Sequence, residues 1–266
     1  MERWESSGQI PGNFSLLNLN ELGSRVKPMN NAITKVGCCG FGVARPKYFQ
    51  TFPLVEIQQT FYQPPKPDTV KRWREEAPAD FEFTLKAWQL ITHESSSPTY
   101  RRLKMRLSER QRNQVGSFRW TDPVRQAWEM MLEITRLLDA DKVVFQCPAS
   151  FKPTDENKDR MREFFTHVQF NNITCVWEPR GKWQNDEIAA LCRELNLIHC
   201  VDPFKNECVT AGLRYYRLHG TTGYRHEYSD KELLELTQRC AKDAPTYFLF
   251  NNVSMWQDAI RFKELI

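Results

Sequence analysis

The sequence predicts an α/β fold, a single-domain (β/α)8 barrel of the TIM type, and three observations carry that reading. Eight short apolar runs recur along the chain, each closing on a polar or charged residue. Most of them are followed by a segment of helical period. The length of 266 residues suits one such barrel, and no linker divides the chain after residue 31, although length alone would also admit two smaller domains.

The runs are Ile33–Cys38, Leu54–Ile57, Phe81–Leu85, Lys142–Phe145, Ile173–Trp177, Leu197–Val201, Leu213–Leu218 and Tyr247–Phe250. They are nearly continuous apolar stretches, as parallel strands covered on the outside by helices should be. Between them, Val124, Ala127, Trp128, Met131, Ile134 and Leu138 mark one helical face, with Asp122–Pro123 read as its N-cap and first position. Met161, Phe164, Phe165 and Val168 form a second face, and Ile188, Leu191, Cys192 and Leu195 a third. Ser229 with Glu232 fits a capping box before Leu233 and Leu236, Asp68 is read as the cap of a short helix through Trp73, and a final helix runs from about Met255 to Leu265.

Composition is that of an ordinary globular chain, with 41% hydrophobic and 26% charged residues and no apolar stretch of membrane-spanning length. Met1–Asn30 is polar and lacks the apolar core of a secretory signal. It is read as a flexible extension, or as an over-extended start upstream of Met29, and the chain is expected to be cytoplasmic. The eight cysteines form no C-x-x-C pair, and several fall within apolar patterns, which favours reduced structural thiols. The net charge of +4 is uneven. Between Ser95 and Trp120 seven basic residues face Glu109 alone, giving that segment +6.

The long connections follow strands: Cys39–Gln50, Gln58–Asp68, Ala87–Trp120, Glu178–Asn185, Asp202–Ala211 and His219–Asp230. In a TIM-type barrel that is the face carrying function. The residues at which the strands stop are Cys38, Glu56, Lys86, Gln146, Glu178, Asp202, His219 and Asn251, with Arg180 and Arg217 close by. Glu56 is read as a general acid or base, a metal ligand, or an ion-pair partner of Lys86. Glu178–Pro179–Arg180 is read either as a base with an anion clamp or as a structural salt bridge. Arg217 and His219 alternate onto one side of their strand, and Gly220 frees the backbone to turn. His219 is the first candidate for chemistry, its bland alternative being a hydrogen bond to Asp202. Tyr224 and Tyr228 flank Arg225 and His226 and offer stacking faces.

Arg101, Arg102, Lys104 and Arg106 lie in the basic segment, read as a solvated helix or as a cationic lid for nucleic acid or a phosphate ester, with Tyr100, Phe118 and Trp120 available for base stacking. A divalent metal is left open by the His and carboxylate strand ends. Neither H-x-H nor H-E-x-x-H occurs, so no metal ligands are assigned.

The string Val55-Glu56-Ile57-Gln58-Gln59-Thr60-Phe61-Tyr62 resembles the V-E-I-N-S-T-F-Y signature of the domain of unknown function 72 (YecE-like) family. Phe83–Lys86 with Ile91–Glu94, Phe145–Pro148 with Ser150–Phe151, Trp177–Arg180, Tyr216–Gly220 and Phe250–Asn252 match in order. The resemblance implies a TIM-type barrel similar to those of the xylose isomerase and endonuclease IV groups, and carries over Glu56, Lys86, Gln146, Glu178, Arg180, Arg217, His219 and Asn251 without roles. The chain departs from the family at Cys39, Gln58–Gln59 and Trp177–Gly181, and an endonuclease IV ligand set is not evident.

Two functions follow as expectations. The first is a hydrolase acting on a phosphate-containing or nucleic-acid substrate. Glu56 or Glu178 would be its base, His219 its acid or ligand, and Lys86, Gln146, Arg180, Arg217, Tyr224 and Asn251 its substrate contacts; a glycoside is the non-anionic variant. The second is a non-catalytic module binding nucleic acid or a nucleotide through Arg101, Arg102, Lys104 and Arg106. In both, the partner is an anionic small molecule or nucleic acid and not a membrane.

Overall fold

The computed structural model describes residues 33–168 and 173–266. The extension expected over Met1–Asn30 lies outside them. Eight parallel strands close a barrel in chain order: β1 (Thr34–Cys38), β2 (Leu54–Ile57), β3 (Glu82–Lys86), β4 (Lys142–Gln146), β5 (Thr174–Glu178), β6 (Ile198–Val201), β7 (Arg214–Leu218) and β8 (Thr246–Phe250). β8 pairs with β1 over five residues, from Thr34 opposite Thr246 to Cys38 opposite Phe250, so no sheet edge is left open. The β1–β2 seam requires Gly37, because a Cβ there would stand 2.4 Å from the Leu54 carbonyl oxygen.

Helices cover the outside. The longest, Asp122–Leu138, buries the predicted stripe of Val124, Ala127, Trp128, Met131, Ile134 and Leu138. Its cap lies one residue earlier than the sequence reading placed it, at Thr121, with Asp122 and Pro123 inside the first turn. Asp68 likewise sits in the first turn of Pro67–Glu76, because the fixed φ of Pro67 already opens that helix. The Ser229–Glu232 capping box forms as expected, and the last helix ends at Lys263. Arg45–Thr51, read as loop, is a helix that seats Tyr48 and Phe49 in the core.

Two apolar cores result. The larger fills the space between strands and helices. The smaller fills the lumen with Leu54, Val144, Val176, Cys200, Tyr215 and Leu249. Below it, Glu82 accepts from Lys35 Nζ and Tyr247 Oη, both at 2.5 Å, and closes the base. Above it, the two-residue strand period places Glu56, Lys86, Gln146, Glu178, Asp202 and Arg217 one layer higher, at the mouth. All eight cysteines are free thiols, six of them buried.

Candidate functional site at the barrel mouth

Arg217 is the hub of the mouth. Its side chain is fully buried, and its planar fork bridges two acids from different strands. Nη1 donates to Glu178 Oε2, and Nη2 lies 2.9 Å from Glu56 Oε1. Glu56 is held further by Tyr215, whose hydroxyl donates to Oε2 at 2.9 Å and also meets Thr84 Oγ1 at 2.8 Å, and by the Gln58 amide. Glu56 therefore pairs with Arg217 and not with Lys86.

Glu178 is surrounded by donors. Arg180 Nε reaches Oε1 at 2.7 Å, Gln146 Nε2 reaches Oε2 at 3.0 Å, and His219 Nε2 lies 3.0 Å from Oε1. Burial pushes the Glu178 carboxyl up, but the charges of Arg217, Arg180 and His219 overcome it and hold the group well below the carboxylate range. The same acids hold the Arg217 guanidinium protonated against its burial.

His219 stands at the end of β7 with three partners. Nε2 meets Glu178 Oε1 and, at 2.6 Å, Arg180 Nη2; Nδ1 lies 3.0 Å from Asn251 Nδ2. Glu178 can only accept and Arg180 can only donate, so Nε2 cannot serve both. With the proton on Nε2 the imidazole donates to Glu178 and accepts from the Asn251 amide. With the proton on Nδ1 the amide must turn its oxygen to the ring, and Nε2 accepts from Arg180. Asn251 and Arg180 thus select the tautomer. Burial pushes the imidazole below its ordinary value, partly offset by Glu178, so the ring is neutral near pH 7. Asp202 binds the His219 backbone N–H at 3.2 Å, and not the ring. Gly220 follows at φ +85°, and its N–H donates to the buried Tyr228 hydroxyl. Tyr228 is buried with its ring stacked on Phe204, so it offers no stacking face to a ligand.

Lys86, at the end of β3, donates to Gln146 Oε1 at 2.6 Å and sits 3.7 Å from the Phe61 ring centroid. Phe61 packs edge-on against His93, whose Nδ1 meets Thr92 Oγ1 at 2.8 Å. Burial, and then the Lys86 and Arg180 charges, push His93 down to about 3.

Glu56, Lys86, Gln146, Glu178, Arg180, Arg217, His219 and Asn251 thus form one connected polar network. Tyr224 stays outside it, 62% exposed on the loop after β7. Tyr215 and Phe61 belong to the mouth although neither was read as a site residue. Tyr215 was legible as the residue two before Arg217 on an alternating strand. A cavity of about 110 Å³ opens beside the network, lined by Glu178, Arg180, Trp183, Asp202, Lys205 and His219. At about 30 Å³ per water it holds a phosphate-sized group, and it is well below the few hundred Å³ of a whole-ligand pocket. Among the described residues no group of three or more His, Cys, Asp or Glu is arranged to hold a metal ion. The two acids that faced that expectation instead clasp Arg217.

The basic segment packs beside the mouth. The Arg102 guanidinium lies 3.5 Å from the Tyr62 ring centroid, and Lys104 N donates to Gln63 Oε1 at 3.2 Å. It is not one long helix; a 3-10 turn over Pro98–Arg102 and a short helix over Glu109–Arg112 are joined by extended chain. Arg101, Lys104, Arg106 and Arg112 line an open groove of about 550 Å³ that contains no acid. The three aromatics expected to stack on bases are otherwise engaged. Phe118 is fully buried among Phe145, Phe151 and Phe164, the Tyr100 hydroxyl donates to His93 O, and Trp120 stacks on His167.

The closed barrel, with its charged residues gathered at the C-terminal strand ends, defines a protein of the (β/α)8 TIM-barrel class. A xylose isomerase domain containing protein from Salmonella typhimurium superposes with a TM-score of 0.54 at 13% identity, covering 89% of this chain and 96% of that one. More narrowly, the chain belongs to the family described as protein of unknown function DUF72, which matches residues 45–265. Members from Enterococcus faecalis (TM-score 0.69, 19% identity, covering 89% of this chain and 98% of that one) and Thermotoga maritima (0.62, 20%, 88% and 98%) share its fold. No curated protein sequence matches the chain. No helix among the described residues is long and apolar enough to cross a membrane.

Proposed function

We propose that this protein is a hydrolase that acts on a phosphate-containing substrate at the barrel mouth, with His219 as its acid–base group. The observation that carries the reading is the seating of His219: neutral, fixed between Glu178 and Asn251, and touching the cavity beside Arg180. In this reading the ring carries its proton on Nδ1, donated to the Asn251 amide oxygen, and Nε2, released as Arg180 turns away, removes a proton from the attacking water. Arg180, with a side chain 39% exposed, turns to the phosphoryl oxygens and takes up their developing charge. Glu178 orients the ring and stabilises the imidazolium; with its oxygens already bonded to four donors and its charge held by two arginines, it is poorly placed to take protons itself. The small cavity accepts the phosphate, and the remainder of the substrate lies across the open mouth.

The test is turnover of a panel of phosphomonoesters and phosphodiesters by the wild-type chain and by His219→Asn. The expected result is a fall of about 10²–10⁴-fold in the variant with unchanged melting, the usual worth of a positioned acid–base group. Absence of turnover across the panel refutes the hydrolase.

The acid-free groove favours a second reading, in which Arg101, Lys104, Arg106 and Arg112 hold nucleic acid without turnover. Replacing Arg101, Lys104 and Arg106 by Ala should then flatten the salt dependence of single-stranded DNA binding, by about 0.7 in the log–log slope for each phosphate no longer neutralised. An unchanged slope removes this reading.

A further inference from the structure

Two lysines are buried in the barrel, and they are treated differently. Lys142, at the base, reaches Asp141 at 2.7 Å and Glu82 at 3.9 Å, the ordinary arrangement for a buried ammonium. Lys86, at the mouth and 5% exposed, has no carboxylate partner among the described residues. Its Nζ has a neutral acceptor, Gln146 Oε1, on one side and the face of Phe61 on the other. Carboxylates are close, but both are committed: Glu56 to Arg217, Tyr215 and Gln58, and Glu178 to Arg217, Arg180, Gln146 and His219. A site that only needed a positive charge here would give it an acid. This one buries an amine without that compensation.

We propose that Lys86 is a nucleophile that forms an imine with a small anionic carbonyl compound, an aldehyde or ketone bearing a carboxylate or phosphate. The Nζ lone pair attacks the carbonyl carbon, and the C=O π pair moves to oxygen, which takes a proton from water. The nitrogen loses a proton and its remaining pair then forms C=N as the oxygen, protonated once more, leaves as water. Amine, carbonyl compound and one proton thus give an iminium ion and water, with no oxidation or reduction. Arg180 receives the acidic group of the ligand, whose own negative charge accompanies the new cation. The chemistry differs from phosphoester hydrolysis and shares with it only the use of Arg180.

The surroundings agree with that role. Burial, and after it the Arg217 charge, lower the Lys86 ammonium to about 7. Glu178 and Glu56 oppose the shift, Arg180 adds to it, and His93 above Phe61 is itself kept neutral. Near neutral pH much of Lys86 therefore carries a free lone pair, whereas an exposed lysine near its usual value of about 10.4 carries it in well under one molecule in a hundred.

The experiment is reductive trapping on the intact chain. Glyoxylate and, separately, pyridoxal 5′-phosphate are supplied at pH 7 with cyanoborohydride, and the modified lysines are mapped by peptide mass spectrometry. Lys86 should be alkylated at least about tenfold faster than exposed lysines such as Lys66 and Lys71. Preference for glyoxylate or for the phosphorylated aldehyde separates a carboxylate from a phosphate ligand. Gln146→Glu supplies the missing acid, so it should cut Lys86 labelling at pH 7 by about tenfold or more and restore it near pH 9. If exposed lysines react while Lys86 is modified by neither probe, or no faster than they are, the proposal is wrong. The readout on the wild-type chain needs no variant to fold and no phosphoester to turn over, so it stands or falls apart from the hydrolase reading.

Discussion

Replacing Glu178 by Gln tests whether the mouth is an electrostatic unit or a set of neighbouring polar groups. The amide keeps the shape of the carboxyl but removes one of the two charges that compensate the fully buried Arg217. Removing one partner of a buried pair costs about 3–5 kcal/mol, and the lower end applies because Arg217 retains Glu56 and the amide oxygen still accepts one bond. For a chain of this size each kcal/mol moves the melting point by about 2–4 °C, so a fall of roughly 6–12 °C is expected at pH 7.5. The pH dependence adds a second signature. The folded Glu178 carboxyl lies below its ordinary 4.5, so its contribution is complete above that pH and is lost as pH falls through the folded value. The gap between wild type and Glu178→Gln should therefore narrow only below pH 4.5. His219 acts earlier: its folded pKa lies below 6.5, the unfolded chain binds the extra proton first, and both proteins lose stability below pH 6.5. That loss should be steeper in the variant, which lacks the carboxylate that props the imidazole up. Urea and thermal melts at pH 7.5, 6, 4.5 and about 3 measure all of this. Melting within about 1 °C of wild type at pH 7.5 would show that Arg217 does not depend on Glu178, and the account of the mouth would fail.

Other consequences are simpler to score. Gly37→Ala forces a methyl to within 2.4 Å of the Leu54 carbonyl oxygen in the β1–β2 seam, where backbone must move; a loss of about 1–3 kcal/mol in urea melts is expected, and a neutral result would mean the seam is looser than described. Thiol titration of the native chain should modify Cys208 and Cys240 rapidly and leave Cys38, Cys39, Cys147, Cys175, Cys192 and Cys200 until the protein unfolds, since those six are buried. Rapid reaction of more than two thiols would contradict the packing of the barrel.

The basic segment shows how local composition misleads about contacts. Seven basic residues in a row of 26 read as a cationic surface with aromatic rings to spare, and the exposed groove lined by Arg101, Lys104 and Arg106 is indeed there. The rings are not. Phe118 reaches the core because Gly116, at φ +83° with its Cα facing the His93 carbonyl, turns the chain inward; Ser117 and Phe118 then continue at φ +52° and +56°. Arg119 is spent on Glu94, and Arg102 on Tyr62. Nothing in the spacing of these residues announced which cations would be used internally.

The barrel itself was written in the sequence, since an eight-fold repeat of apolar run and amphipathic segment has few ways to bury both kinds of face. Strand period then assigned Glu56, Lys86, Gln146, Glu178, Arg217 and His219 to one end, because alternation and strand direction are local properties. Partnership is not local. Glu56 and Lys86 lie on adjacent strands and were the obvious pair, yet Glu56 goes to Arg217, 161 positions away, since the arginine fork spans the lumen and satisfies two acids at once. Lys86 is left with an amide and a ring, and its lowered basicity follows from that assignment. His219 gains Glu178 and Asn251 for the same reason, with Asp202 taken up by the backbone. Residue type and period determine which groups reach the mouth. Closure of the barrel brings strands two, five and seven together across a low-dielectric lumen, and that alone decides which charges neutralise one another and which do not.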